Sequence, residues 1–283
     1  MCIFKVRNIV PYLVINKFNF SILMVNARYC QVSTKNGLFL IDKNDHVISK
    51  QLLESGEWAP EELTRILSYV SDSSRVLIVG AHIGTLVIPI SKHVAKVVAI
   101  EANPETFKLL EQNILLNSSE NCTAYCIAAN NKSEKLSFLI NTDNSGGSKR
   151  KPKIMKSIYT YDNPEEVLVD AAPLDTFLED HSFDLIVMDI EGSEYYALQG
   201  MSQILENVRI LIIEFVPHHL KNVSGVTVSH FSTLFESFDT LYCPSTQLTV
   251  SRNDFLSVLS YLYENDIADE GLVFSKSALK SNS

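Results

Sequence analysis

Residues 75–117 limit the possible folds more than any other part of the chain. Residues 76–79 are an apolar, β-branched run too short for a helix, which predicts a buried strand. Gly80 and Gly84 follow, separated by Ala81, His82 and Ile83, and a helix is predicted from near Thr85. The free N–H groups of that helix face back toward the loop. A second apolar strand covers residues 96–100 and ends at Glu101. Strand, glycine loop, helix, strand and acid is the layout of a nucleotide-ribose site. The acid is placed to accept hydrogen bonds from two ribose hydroxyls.

The glycine spacing separates two cofactors that share this layout. A dinucleotide fingerprint, G-x-G-x-x-G, needs glycines where this chain has His82 and Thr85, so a pyrophosphate would meet side chains. The Gly80-x-x-x-Gly84 spacing suits S-adenosylmethionine, which has no phosphate to cradle and whose carboxylate can use the loop amides.

Further along, Asn103 and Pro104 read as the N-cap and first residue of a helix with a Phe107, Leu110, Ile114 stripe. Residues 122–128 predict a third strand, with Ala128, Ala129 and Asn130 at its carboxyl end, where ligands bind in open α/β sheets. Residues 136–140 and 166–169 predict extra strands. Between them, residues 144–156 carry Lys149, Arg150, Lys151, Lys153 and Lys156. This segment reads as a flexible, solvated loop, with a clamp on an anionic substrate or a lid as the functional alternative. Residues 183–188 predict the fourth core strand, which runs into Asp189, Glu191, Gly192 and Glu194. Repulsion among carboxylates there would raise at least one pKa, which suits a general base. The plainer reading has Asp189 capping the next helix and the glutamates solvated, and it is preferred for Glu194. Residues 210–213 predict a fifth buried strand leading to Glu214, His218 and His219. A helix (228–235), a strand (238–242), a helix (252–263) and a last strand (272–274) complete the pattern.

A length of 283 residues suits one α/β domain with an N-terminal elaboration. Residues 1–70 are expected to form an extension of short strands, with a turn at Lys35-Asn36-Gly37, and a helix over 60–69 packed on the core. Residues 71–276 form a Rossmann-like domain and 277–283 a polar tail. The net charge of −9 disfavours wholesale nucleic-acid binding. The five cysteines are scattered and odd in number, so no disulfide framework is expected, and Cys122 and Cys126 read as buried thiols. Lys5, Arg7, Lys17 and Arg28 interrupt the apolar first thirty residues, which therefore lack the ~18-residue run a spanning helix needs. Without a convincing cleavage site, a cytoplasmic protein with no membrane span is expected. Neither an HExxH motif nor a dense His/Cys set is present, so no metal is expected, with a hard cation on Asp189 and Glu191 as the alternative.

From about Gly37 to about Phe274 the chain resembles the FkbM-type methyltransferase family. The carriers are VGAHIG at 79–84, IEANPETFKLLEQNILLN at 100–117, PLDTFL at 173–178, DLIVMDIEGSEYYALQG at 184–200 and LIIEFVP at 211–217. The resemblance implies a class I methyltransferase fold, with seven mainly parallel strands, one of them antiparallel, and helices on both faces. It implies S-adenosylmethionine as cofactor and O-methylation of a hydroxyl on a sugar, glycan or natural product. Carried over by position, Gly80, Ala81, His82, Gly84 and Thr85 form the cofactor loop and Glu101 with Ala102 takes the ribose. Ala129 and Asn130 lie near the adenine, and Asp189 reaches the methionine end. Glu214 and residues 217–219 line the acceptor side. In-line displacement at the sulfonium methyl needs alignment and a base. Asp189, Glu191 and then the His218/His219 pair are the candidates. The chain departs from the family at Ile78, where aspartate is usual, at His82, where asparagine is usual, and at Val187, where lysine is common. Those departures motivate a second reading, a catalytically degenerate Rossmann-like binding or scaffold protein. A nicotinamide oxidoreductase is a third, disfavoured by the glycine spacing.

Overall fold

The computed structural model describes residues 27–276. Most of the interrupted apolar N-terminus, with Cys2, and the polar tail 277–283 lie outside the described residues. β1 (Tyr29–Ser33) and β2 (Leu38–Asp42) pair as an antiparallel hairpin, followed by α1 (Ile48–Ser55) and α2 (Pro60–Leu67). β3 (Arg75–Val79), α3 (Val87–Ser91), β4 (Lys96–Glu101), α4 (Pro104–Leu116) and β5 (Cys122–Cys126) make the first parallel wind. The chain then leaves that sheet. β6 (Ala128–Ala129), β7 (Glu134–Ile140), β8 (Lys149–Arg150) and β9 (Glu165–Ala172) build a second sheet of four strands, ordered β6-β9-β7-β8. It returns through β10 (Leu185–Met188), β11 (Ile210–Phe215), β12 (Thr240–Cys243), β13 (Leu248–Ser251) and β14 (Asp269–Ser275).

The large sheet is ordered β13-β12-β14-β11-β10-β3-β4-β5. β14 runs antiparallel to β11 and β12, as the seven-strand expectation requires. An eighth strand, β13, extends the edge through a hairpin whose Gln247 has φ of 56°. Its four residues are largely exposed, so no apolar alternation announces it. The helix α1 was equally silent.

The apolar runs behave as strands buried on both faces. Leu77 and Val79 join one cluster with Val98 and Ile100, whereas Val76 and Ile78 join another with Val97, Ala99 and the α2 residues Leu63 and Ile66. The expected third strand breaks at Ile127, whose N–H donates to the Glu101 carbonyl. β5 therefore lies at the sheet edge. That placement corrects the expectation of buried thiols, for Cys122 is half-buried and Cys126 exposed, and both are free. α4 starts as predicted, with Asn103 Oδ1 accepting from Glu105 N at 3.0 Å. One face of α4 also holds the N-terminal hairpin. Asn113 Oδ1 accepts from Leu40 N (2.6 Å) and Asn117 Oδ1 from Leu38 N (2.9 Å), which satisfies the outer edge of β2.

Candidate active site

The sheet order reverses between β3 and β10, and a cavity opens at the carboxyl ends of β3, β4 and β10. Cavity and mouth together enclose about 1230 Å³. Gly80 sits where the two winds meet, at φ 91°, and a Cβ there would lie 1.7 Å from the Asp189 carbonyl oxygen. The close approach of two strand ends therefore demands this glycine. His82 follows in the left-handed region at φ 49°. Its N–H donates to Glu101 Oε2 (2.7 Å) while Asn103 N–H donates to Oε1 (2.8 Å). Each carboxylate oxygen is fixed by one backbone donor and keeps accepting capacity for a ligand. Burial pushes Glu101 up to about 7, against the lowering effect of these bonds.

Gly80, Ala81, His82, Thr85, Glu101, Ala102, Ala129, Asp189 and Glu191 all line the cavity. Gly84 and Asn130 do not. A Cβ on Gly84 would meet Leu110, so that glycine serves packing of the turn on α4. Asn130 is buried, donating to Lys132 O (2.9 Å) and Glu134 Oε1 (3.0 Å) and accepting from Arg150 (2.6 Å). The structure thus places it as a brace for the second sheet.

The basic segment is the solvated loop expected only in its second half, where Lys151, Lys153 and Lys156 are exposed. Asn144, Ser145, Gly146 and Ser148 line the cavity, and Lys149 is buried at 6% exposure. His82 Nε2 lies 2.7 Å from Ser145 Oγ, and the Ser145 hydroxyl donates to Asp45. The serine oxygen then accepts from Nε2–H, leaving His82 Nδ1 unprotonated and without a partner. Burial lowers His82 to about 4, so its ring is neutral at pH 7. Arg150 stacks on Tyr196, 4.2 Å from the ring centroid. Of the exposed Lys151, Lys153 and Lys156, Lys151 pairs with Glu166 at 2.7 Å.

Lys149 Nζ donates to Glu191 Oε2 at 2.6 Å and lies 3.3 Å from His219 Nε2. His219 Nδ1 is 3.8 Å from Glu214 Oε2, beyond hydrogen-bond reach. Burial, with Lys149 and His218, pushes His219 down to about 2, so it faces Lys149 as a neutral acceptor. Glu191 has φ 57° and Gly192 φ 97°, a turn closed by Val223, whose Cβ would lie 2.7 Å from a Cβ on Gly192. Glu194 is not solvated, contrary to expectation. It is buried and accepts the N–H groups of Ile190 (3.0 Å) and Gly192 (3.2 Å), which pins this turn. Asp189, Glu194 and Glu214 bring carboxylate oxygens within 4.8 Å of one another. Asp189 opens onto the cavity, yet the protein packed around it, then repulsion from Glu191 and Glu194, holds it well above the usual carboxylate range; burial, then repulsion from Asp189 and Glu191, does the same for Glu214. Burial pushes Glu194 up to about 7. Asp189 alone of the three faces the cavity.

His218 and His219 differ in their partners. Both rings pack beside Tyr159 and neither lines the cavity, but it is His219 that touches the Lys149–Glu191 pair. Two further lining residues, Trp58 and Glu62, come from the N-terminal part of the chain. In sequence Glu62 reads only as a first-turn helix acid.

The methyltransferase FkbM domain model matches residues 79–266. No curated protein sequence matches the chain. Among solved structures, the methyltransferase FkbM from Methylobacillus flagellatus is similar at 19% identity and a TM-score of 0.40, over 72% of this chain and 44% of that one. This chain therefore spans less than half the length of that protein. A TehB-like SAM-dependent methyltransferase from Corynebacterium glutamicum is similar at 12% identity and a TM-score of 0.45, over 81% and 94% of the two chains. The tRNA m1G37 methyltransferase of M. jannaschii is similar at 14% identity and a TM-score of 0.44, over 90% and 59%.

Proposed function

Because this chain belongs to the FkbM methyltransferase family, we propose that it transfers the methyl group of S-adenosylmethionine to a hydroxyl oxygen of a sugar, glycan or small natural product. One observation carries the cofactor assignment. Among the described residues, the cavity is lined by Glu62, Glu101, Asp189 and Glu191 and by no lysine or arginine. Such a lining suits a cationic, phosphate-free nucleoside and repels a pyrophosphate. When bound, that cofactor supplies an electrophilic methyl on a sulfonium centre.

The protein's own part is positioning and proton handling. Glu101, held by His82 N–H and Asn103 N–H, uses its remaining lone pairs for the ribose hydroxyls. The rigid Gly80–Asp189 contact fixes the floor on which acceptor and methyl must align. An alcohol is a poor nucleophile until its proton leaves, and Asp189 is the cavity-facing carboxylate whose affinity for a proton is raised. Glu191, clamped by Lys149, orients the acceptor hydroxyl toward it. His219 backs Lys149, and His218 lies outside this constellation.

The apolar side chains of Ile78 and Val187 in the cavity wall favour one competing reading, a chain that binds without turnover. Calorimetric titration with S-adenosylhomocysteine, on wild type and Glu101→Ala, followed by a methyl-transfer assay on an acceptor panel, separates the two. Expected is wild-type binding that Glu101→Ala weakens by about 100-fold, in line with losing two charge-assisted hydrogen bonds. No wild-type binding removes the cofactor assignment. Tight binding with no transfer to any acceptor supports the scaffold reading.

A further inference from the structure

Glu62 has no task in the fold. It lies on α2, one turn before Ile66, so the two share a helix face. Ile66 is fully buried against Ile78 and Val187, and that packing carries the Glu62 carboxylate to the cavity wall. Among the described residues no hydrogen bond and no ion pair holds this carboxylate. The charge of Arg65 bears on it without forming an ion pair, and the Arg65 guanidinium packs over Gly271. Burial pushes Glu62 up to about 7, and its charge bears on Asp189 at the end of β10. A mostly buried acid without a partner is costly to keep unless a ligand completes it.

Its position identifies that ligand group. Glu101 marks the ribose end, on the β4 side of β3. Glu62 reaches the cavity on the opposite side of β3, toward β10. Those flanking strands are two strand spacings apart, about 10 Å, which is the reach from a ribose hydroxyl to the amino end of an attached amino acid. Trp58, four residues earlier, brings an aromatic ring to the same cavity, a second group that favours a cation. We propose that Glu62 anchors the ammonium group at the amino-acid end of the cofactor, so that an element outside the Rossmann-like core completes the cofactor site.

This inference rests on the S-adenosylmethionine reading, and the test keeps the two apart. Wild type and Glu62→Gln are titrated calorimetrically with S-adenosylhomocysteine and with 5′-methylthioadenosine, which lacks the amino-acid portion. Glu62→Gln is expected to weaken S-adenosylhomocysteine by about tenfold or more, the value of a charge-assisted hydrogen bond, and to leave 5′-methylthioadenosine unchanged. The two ligands report on the same folded protein, so partial misfolding does not mimic the result. Equal weakening of both ligands, or no weakening of either, overturns the assignment of Glu62. Failure of wild type to bind either ligand overturns the cofactor reading itself.

Discussion

The two ends of the cavity are built on opposite principles. At the end proposed for the ribose, Glu101 is held by backbone N–H groups of His82 and Asn103, all in or next to the first strand-loop-strand unit. At the end proposed for the acceptor, Glu191 in the cavity wall is backed by Lys149 and His219, which meet side chain to side chain across sequence separations of 42 and 70 residues. The first arrangement follows from the path of the backbone and survives most side-chain changes. The second depends on one buried lysine balancing several carboxylates, so its charge state is its structure. A site can thus be rigid at one end and tunable at the other.

The comparison breaks most completely at Gly80, which belongs to both ends. Gly80→Ala forces a Cβ into the Asp189 carbonyl oxygen, 1.7 Å away, at a φ that alanine resists. A loss of about 4 kcal/mol or more in urea unfolding is expected, together with loss of S-adenosylhomocysteine binding. Stability within about 1 kcal/mol of wild type would show that the strand ends can part. Next in size, Lys149→Met removes the cation from a site where Asp189 and Glu214 are already held well above their usual range. A cost of about 3–5 kcal/mol at pH 8 is expected. The cost should shrink at pH 5, where protonation relieves the repulsion, while S-adenosylhomocysteine affinity stays near wild type at either pH. Loss of affinity would mean the two ends are not separable.

The smallest effect sharpens the ribose end alone. The folded Glu101 has a pKa of about 7 against 4.5 for the free group. The stability linked to its proton is therefore complete below about 4.5 and lost as pH rises through about 7. Relative to Glu101→Gln, wild type should lose up to about 3 kcal/mol over that window. Urea midpoints of both proteins at pH 5 and pH 8 measure it, and parallel pH dependence would contradict the buried-acid account.

The parts of this molecule set by local chemistry were legible in the sequence. Asn103 and Pro104 start α4 where their capping chemistry requires, and the apolar runs around Val79 and Ile100 are strands buried on both faces. The acids of Asp189 and Glu191 also lie at a cavity-facing strand end, as their position after an apolar run implied. Lys149 was illegible because it stands among exposed cations of the same composition. It stands in β8 opposite the buried Leu139 of β7, whereas Lys151 lies beyond the end of β8 at the surface. Glu194 was misread for a similar reason, since its partners are backbone N–H groups that no pattern of side chains displays. Cys126 was expected to be buried because free cysteines usually are, but burial also needs a neighbour strand, and among the described residues β5 has none on its outer side.

Asp45 has a consequence for how the chain is made. Its Oδ1 accepts the N–H groups of Val47, Ile48 and Ser49 at the start of α1, and its Oδ2 accepts the N–H of Ser145, a hundred residues later. On a ribosome, the loop and helix of the first wind emerge long before Ser145 does. Glu101 therefore has its full set of backbone partners early in synthesis, while the wall carrying Ser145 can be fastened only once the second sheet begins to appear. The order of assembly runs from the glycine loop to the wall that closes over His82.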